Sequence, residues 1–135
     1  MNAKLSLDFE TISRALKRIT LPPVERVVGI ATSGIVPASL LAHQLECPLH
    51  LMHINYRAPD NSPQHPAPVL LAGSILPSTR QRILLVDDVS VSGQTLMLAK
   101  ELLKTHEVIT FVLKGQADYV LFPEIDTCVN WPWKV

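Results

Sequence analysis

The sequence predicts an α/β protein of three layers, in which a mostly parallel β-sheet carries helices on both faces. Apolar strand segments alternate with helical segments along the chain, and this alternation implies right-handed crossovers between parallel strands. The 135 residues are 47% hydrophobic and 18% charged, which is typical of one globular domain. We therefore expect a single domain over residues 1–135.

The first half of the chain is predicted to contain two helices and two strands. A strand is expected over residues 24–31, and Pro37 suits the first turn of a helix that continues to about Leu45. A second apolar strand is expected over residues 49–54. An amphipathic helix precedes these elements and is indicated by apolar residues at helical spacing, namely Phe9, Ile12, Leu16 and Ile19.

The second half continues this alternation after a long loop. Residues 58–68 contain four prolines among polar residues and are predicted to form that loop. A helix is indicated by the spacing of Leu96, Ala99 and Leu103. Strands are predicted around this helix over residues 69–72, 83–86, 108–113 and 119–122.

The most informative segment joins strand 83–86 to the helix that follows it. Two carboxylates, Asp87 and Asp88, follow the strand, and a loop rich in Ser, Gly and Thr leads into the helix. Amides at a helix N-terminus favour an anion, and Gly93 lets the backbone approach it closely. Because like charges repel, the carboxylates suit sugar hydroxyls or Mg²⁺ rather than the phosphate. The predicted phosphate and ribose contacts are Ser90, Val91, Ser92, Gly93, Gln94 and Thr95.

The run from Asp87 to Thr95 resembles the ribose-5-phosphate loop of the type I phosphoribosyltransferases. It matches the family pattern D-D-x-x-x-[ST]-G-x-T without a gap. The alternative is that the two acids only end a buried strand and cap a helix. The resemblance implies the type I fold with a small C-terminal hood, with Asp87 and Asp88 as catalytic acids and Mg²⁺ ligands. It also implies transfer of ribose 5-phosphate from phosphoribosyl diphosphate to a base, with a purine favoured, and release of pyrophosphate.

The segment 29–38 resembles the pyrophosphate loop of the same family, often written A-R-G-G-L-x-P-A. The resemblance implies that Thr32, Ser33 and Gly34 bind pyrophosphate through backbone amides. Thr32 stands where the family often has Arg or Lys, so this loop lacks a cation. Arg57 lies where the family's closing flap begins and could supply that charge, although a solvated surface arginine is an equal alternative.

The last part of the chain resembles the close of small xanthine–guanine and hypoxanthine-type phosphoribosyltransferases. Lys114 fits the lysine that reads a purine 6-oxo group, and the residue pairs at 118–119 and 132–133 fit as well. For Trp131, core packing is the alternative to stacking on a base. The base-binding residues implied by the resemblance are Lys114, Val129 and Trp131.

Two departures from this pattern concern the base. Cys128 stands where those enzymes stack an aromatic ring, and Val91 stands where they carry an acid near the base N7. A valine cannot accept or relay that proton. A second function is therefore kept open, which is a non-catalytic phosphoribosyl diphosphate or nucleotide-binding regulatory protein on the same fold.

Composition limits the other partners. The chain has 12 basic and 12 acidic residues, so its formal charge of zero argues against a nucleic-acid surface. It has no apolar run of membrane length and no signal-peptide pattern, so we expect a cytoplasmic protein without a membrane partner. Cys47 and Cys128 are expected to be buried free thiols. The resemblance implies a homodimer, with phosphoribosyl diphosphate and a base or nucleoside monophosphate as ligands.

Overall fold

A six-stranded sheet lies at the centre of the structure. The computed structural model describes residues 4–54, 69–70 and 76–134. The elements in chain order are β1 (Leu5–Ser6), α1 (Phe9–Arg18), β2 (Arg26–Ala31), α2 (Ile35–Leu45), β3 (Leu49–His53), β4 (Val69–Leu70), β5 (Arg82–Ser90), α3 (Gln94–Leu102), β6 (Glu107–Gly115), β7 (Tyr119–Val120) and β8 (Val129–Asn130). The strand order is β4-β3-β2-β5-β6-β7, with β3 and β4 antiparallel and the other neighbours parallel.

Helices cover both faces of this sheet, as the α/β prediction requires. Ile12 of α1 and Leu41 of α2 are buried in one core cluster, and Leu96 of α3 and Leu103 at its C-terminal end are buried in the other. The chain leaves β2 through α2 toward one edge and leaves β5 through α3 toward the other edge. A crevice therefore lies at the carboxyl ends of β2 and β5, where sheets of this type bind ligands.

The first helix forms where its apolar spacing predicts it, because its ends are capped. Asp8 precedes α1, and its Oδ1 accepts a hydrogen bond of 2.8 Å from the backbone N–H of Thr11. This bond also holds the pKa of Asp8 below its ordinary value. Glu10 lies in the first turn, and Lys17 and Arg18 lie in the last turn, as the helix dipole favours.

The central strand β5 is longer than predicted. The expected strand ended at Val86, before the two acids, whereas β5 continues through them to Ser90. The reason is tertiary, because Asp87 pairs with Val112 of β6 and the pairing continues to Ser90. Charged residues are depleted in strands, so the sequence pattern indicated an earlier end.

A second, two-stranded sheet was not predicted. β1 pairs with β8 in parallel, with Leu5 opposite Val129 and Ser6 opposite Asn130. The expected C-terminal hood is the segment from β8 to Lys134, and it therefore also includes β1 from the start of the chain. Each strand has only two residues, which is too short for an alternating pattern to be recognised.

Three other expectations concern local features. Cys47 is half-buried and donates its thiol to the Val24 carbonyl at 3.2 Å, while Cys128 is exposed, so the expectation of two buried thiols was wrong for Cys128. Arg57 and the proline-rich loop 58–68 lie outside the described residues. Among the residues that are described, no helix is both long and apolar enough to cross a bilayer.

The connection from β6 to β7 is fastened by a side chain. Asp118 Oδ2 accepts hydrogen bonds from the Thr110 backbone N–H at 2.9 Å and from the Thr110 hydroxyl at 3.1 Å. The Asp118 N–H in turn donates to Thr110 Oγ1 at 2.8 Å. Thr110 is buried, so these bonds satisfy groups that water does not reach. Asp118, one of the residues that fit the family pattern, thus has a structural role.

We predict that Asp118→Ala destabilises the fold by about 1–3 kcal/mol, because it leaves two buried donors of Thr110 unsatisfied. Urea unfolding followed by circular dichroism measures this loss. Asp126→Ala removes an exposed carboxylate of the same kind and serves as the control, with little expected change. Equal stability of the two variants would contradict the role assigned to Asp118.

Candidate active site

Two adjacent carboxylates lie buried at the carboxyl end of the central strand. Asp87 is 8% exposed and Asp88 is 5% exposed. One oxygen of each is held by the backbone, because Asp88 N–H donates to Asp87 Oδ1 at 2.8 Å and Val89 N–H donates to Asp88 Oδ1 at 2.7 Å. The second oxygen of Asp88 lies 3.3 Å from the ammonium of Lys134. Burying two acids side by side is costly, and such sites are typically functional.

The burial changes the protonation of the pair. Loss of solvent, and then the neighbouring charge of Asp88, raise the pKa of Asp87 from 3.8 to about 8. The ammonium of Lys134 opposes this shift with a smaller effect. The raised pKa favours the protonated form of Asp87 while no ligand is bound, and a protonated carboxyl can donate as well as accept a hydrogen bond.

The predicted phosphate loop forms a tight turn into α3. Gly93 adopts φ +80°, which favours glycine, and it precedes the first helical residue, Gln94. Gln94 N–H donates to Ser92 Oγ at 3.3 Å. The next amides of the helix, including that of Thr95, have no acceptor within the helix, so they are available to an anion.

Two predicted contacts of this loop differ in their surroundings. Ser90 is buried as the last residue of β5, and its carbonyl accepts a hydrogen bond of 2.9 Å from Gln116 N–H. Val91 is 80% exposed at the tip of the loop, where its side chain faces solvent. Val91 is therefore an exposed apolar side chain beside the predicted phosphate contacts.

The second predicted loop contacts the backbone of β5, at Val86 and Asp87, through a glycine. A methyl group added at Gly34 would lie 2.8 Å from the Val86 carbonyl oxygen and 3.1 Å from Asp87 Cα. No side chain fits in this space, so glycine allows the loop after β2 to touch the end of β5. Thr32 is exposed and Ser33 is half-exposed beside this contact. The structure therefore brings the two predicted anion loops together at the crevice between β2 and β5.

Lys114 approaches the same edge from β6. It lies opposite Val89 in the sheet and is half-buried. The next residue, Gly115, has φ +112°, and a methyl group there would lie 1.9 Å from the Ser90 carbonyl oxygen. This contact fixes the end of β6 against the start of the phosphate loop.

The hood places its aromatic residues mainly in packing positions. Trp131 is 3% exposed and belongs to the core, which is the alternative that the sequence left open for it. Trp133 stacks on Trp131 with a ring-centroid separation of 5.6 Å, and Phe9 packs against Trp133 at 5.8 Å. Val129 is half-buried against the same core.

Sequence reasoning missed Lys134, although it is the cation nearest to Asp88 among the described residues. The Pro-Trp pair at 132–133, which fits the family pattern, lies directly before Lys134. A lysine after an aromatic residue is not a motif that would have predicted a contact with the acids. The contact depends on how the hood folds over the sheet, which local sequence does not report.

Other concave surfaces lie away from this edge. A groove of about 360 Å³ lies between α3 and the start of β6, and it is lined in part by Met97, Lys104 and His106. It contains neither of the two acids and neither anion loop. Buried acids and converging loops, rather than groove volume, therefore identify the candidate site.

Comparisons with known proteins agree with this geometry. The family model of the phosphoribosyl transferase domain matches residues 21–133. The purine phosphoribosyltransferase of Pyrococcus horikoshii Ot3 is 23% identical, covers 98% of this chain and 95% of its own, and has a TM-score of 0.79. No curated protein matches in sequence.

Two further solved structures are similar over nearly the whole chain. A hypothetical protein from Neisseria gonorrhoeae, solved with bound ppGpp, is 26% identical over 100% of this chain and 91% of its own, with a TM-score of 0.71. The Helicobacter pylori xanthine-guanine-hypoxanthine phosphoribosyltransferase is 17% identical over 98% of this chain and 95% of its own, with a TM-score of 0.70.

We predict that Asp87→Asn flattens the pH dependence of stability in the absence of metal and ligand. Between about pH 4 and about pH 8 the folded parent retains a proton that its unfolded chain has released, so its stability falls as pH rises. The amide of Asn does not titrate, so this pH dependence is absent from the variant. At pH 8 the free energy of unfolding of the variant should exceed that of the parent by on the order of a few kcal/mol.

Urea unfolding in a chelating buffer, repeated across this range, measures the difference between the two proteins. Asp126→Asn, at an exposed position, is the control and should follow the parent curve. If Asp87→Asn also follows the parent curve, then Asp87 titrates normally and its burial has no electrostatic cost.

Proposed function

This chain belongs to the phosphoribosyl transferase domain family, and we propose that it transfers ribose 5-phosphate from phosphoribosyl diphosphate to a nitrogenous base, with release of pyrophosphate. The observation that carries the proposal is the contact of Gly34 with the backbone of Asp87. It unites both loops that match family motifs around the buried acid pair. A diphosphate and a ribose 5-phosphate belong to one substrate, so their two loops must be adjacent.

The proposed roles follow from position and chemistry. The amides at the start of α3 and the Ser92 hydroxyl would hold the 5′-phosphate. Asp87 and Asp88 would hold the ribose hydroxyls, and their charge would stabilise the positive charge that develops on the sugar. Amides of the loop Thr32–Gly34 would hold the departing pyrophosphate, and Lys114 would face the base. Fixing both reactants in this way lowers the entropic part of the barrier.

Mg²⁺ fits the donor set at Asp87 and Asp88. Both are carboxylates, the oxygen ligands that Mg²⁺ prefers, and one or two such residues suffice when substrate oxygens and water complete the shell. Among the described residues no group of three or more His, Cys, Asp or Glu side chains is arranged to hold a metal. We infer a cation shared with the diphosphate, and its charge would neutralise the leaving group.

A second candidate function is a non-catalytic sensor of phosphoribosyl diphosphate or a nucleotide. Thr32 leaves the pyrophosphate loop without a cation, and exposed Val91 cannot relay a proton to a base. The similar Neisseria gonorrhoeae protein was solved with ppGpp, which is a nucleotide rather than a base. A sensor needs the phosphate loop but not the groups that activate the base.

A homodimer stays a prediction. Met97 and Leu102 on α3 are 69% and 49% exposed, and Val91 is exposed near the start of the same helix. Large apolar side chains that are exposed in one subunit can be covered by another subunit. Light scattering at micromolar concentration checks this prediction, and a clean monomer mass would contradict it.

A cytoplasmic location likewise stays a prediction.

The decisive experiment separates the two functions by product and by binding. The protein is incubated with phosphoribosyl diphosphate, Mg²⁺ and a panel of purine and pyrimidine bases, and pyrophosphate release is followed. We expect guanine, xanthine and hypoxanthine to react slowly or not at all, while guanosine monophosphate still binds. The absent acid at Val91 accounts for a factor of about 10²–10⁴ in rate. Val91→Asp should therefore raise any activity toward these bases.

The control is Asp87→Asn combined with Asp88→Asn. It should lose ligand affinity, at roughly 1.5–3 kcal/mol for each lost hydrogen bond to a charged group, and remain folded. Parent turnover of a 6-oxopurine on the order of 10 per second would overturn the sensor function and the weight given to Val91. Nucleotide binding without turnover of any base would favour the sensor.

A further inference from the structure

The ammonium of Lys134 forms an ion pair with Asp88, one of the two buried acids. Lys134 Nζ is 3.3 Å from Asp88 Oδ2, and the side chain of Asp88 is 7% exposed while that of Lys134 is 53% exposed. The lysine therefore brings charge from the surface to a carboxylate that solvent scarcely reaches. The other oxygen of Asp88 is already bonded to the Val89 amide, so Lys134 accounts for the remaining one.

The backbone that carries Lys134 is held in place. Lys134 N–H donates to the Trp131 carbonyl at 3.1 Å, which closes a turn with Pro132 at its second position. Trp131 is buried in the core, and Trp133 stacks on it at 5.6 Å. The position of Lys134 over the acids is thus a consequence of hood packing.

A second lysine–carboxylate pair in the protein provides a comparison. Lys104 Nζ also lies 3.3 Å from a carboxylate oxygen, that of Glu101, but both side chains are about 70% exposed. An exposed pair of this kind is screened and contributes little. The N···O distance is the same in the two pairs, but Glu101 is exposed and Asp88 is buried. We therefore expect the interaction of Lys134 with Asp88 to be less screened by solvent than that of Lys104 with Glu101.

A ligand of the proposed site would compete for the same carboxylate. Ribose hydroxyls or a divalent cation would bind Asp88, while the phosphate groups would add negative charge beside it. The loop that should receive a diphosphate has Thr32 in place of a cation, and through Gly34 it contacts the strand of the acids. A lysine side chain on Asp88 is long and flexible enough to turn toward such an anion.

We propose that Lys134 is a ligand-binding residue that exchanges partners, neutralising Asp88 while the site is empty and pairing with a diphosphate oxygen when the ligand is bound. This proposal rests on the proposed function and names one more residue of that site. In the empty protein the lysine would weaken binding of a free divalent cation. In the loaded protein it would supply the charge that Thr32 does not.

Calorimetric titrations of the full chain test both halves of this exchange. The probes are Mg²⁺ alone, inorganic pyrophosphate with Mg²⁺, and ribose 5-phosphate. For Lys134→Met we expect Mg²⁺ alone to bind more tightly, by about tenfold or more, because the ammonium no longer competes for Asp88. We expect pyrophosphate to bind more weakly, by about tenfold or more, because a hydrogen bond from a charged group is lost. Ribose 5-phosphate should bind at least as tightly as in the parent, because its hydroxyls no longer compete with the lysine for Asp88, and Lys134→Arg should restore the pyrophosphate affinity.

Lys104→Met is the matched control and should leave all three titrations unchanged. Tighter Mg²⁺ binding without weaker pyrophosphate binding would mean that Lys134 only blocks Asp88, and this would overturn the proposal. Unchanged titrations of Lys134→Met, or weaker pyrophosphate binding alone, would overturn it as well. If the parent binds ribose 5-phosphate but not pyrophosphate, this inference fails and the phosphate site survives. If the parent binds none of the probes, the proposed function fails with it.

Discussion

The pairing of β5 with β6 beyond the apolar part of the strand is the constraint on which the site depends. It carries Asp87 and Asp88 into the strand instead of leaving them in a loop, because Asp87 pairs with Val112 and Val89 pairs with Lys114. Both carboxylates are buried there, and the charge of Asp88 acts on Asp87. Repulsion and burial must then be relieved by a proton, a cation or a ligand. Binding of a proton, of a cation or of a ligand therefore changes the net charge of the site, and each of them affects the binding of the others.

Two glycines let other segments approach this strand. Gly34 brings the loop after β2 against Val86 and Asp87, and Gly115 brings the end of β6 against Ser90. In both places the neighbouring atoms belong to the backbone, of β5 at Gly115 and of β2 and β5 at Gly34, so a side chain could not be accommodated by a small rotation. The anion loops and the end of β6 thus share one rigid support, and rigid supports keep binding groups at a fixed geometry.

The balance of charge at the site differs from the pattern that the family resemblance implies. The predicted pyrophosphate loop has Thr32 where the family often has a cation, and the predicted phosphate loop has Val91 where 6-oxopurine enzymes of the family carry an acid. The structure adds Lys134, a cation contributed by the hood. A site with the cation that we propose at Lys134, and without the base-side acid, is consistent with the proposed ribose phosphate ligand. It makes the identity of the base, and the choice between transfer and sensing, the central question for this protein.

The sequence alone determined the order of α1–α3 and of the strands of the six-stranded sheet, the helices on both faces of that sheet and the motif at Asp87–Thr95, because periodicity, capping and loop chemistry are local properties. Only the tertiary structure decided that β5 extends to Ser90, that β1 and β8 pair, that Trp131 is core, and that Lys134 lies on Asp88. These four features depend on contacts between segments far apart in the chain, and burial is a property of the assembled layers. A local pattern can therefore indicate candidate residues for the chemistry, while their burial and their contacts are set by the fold.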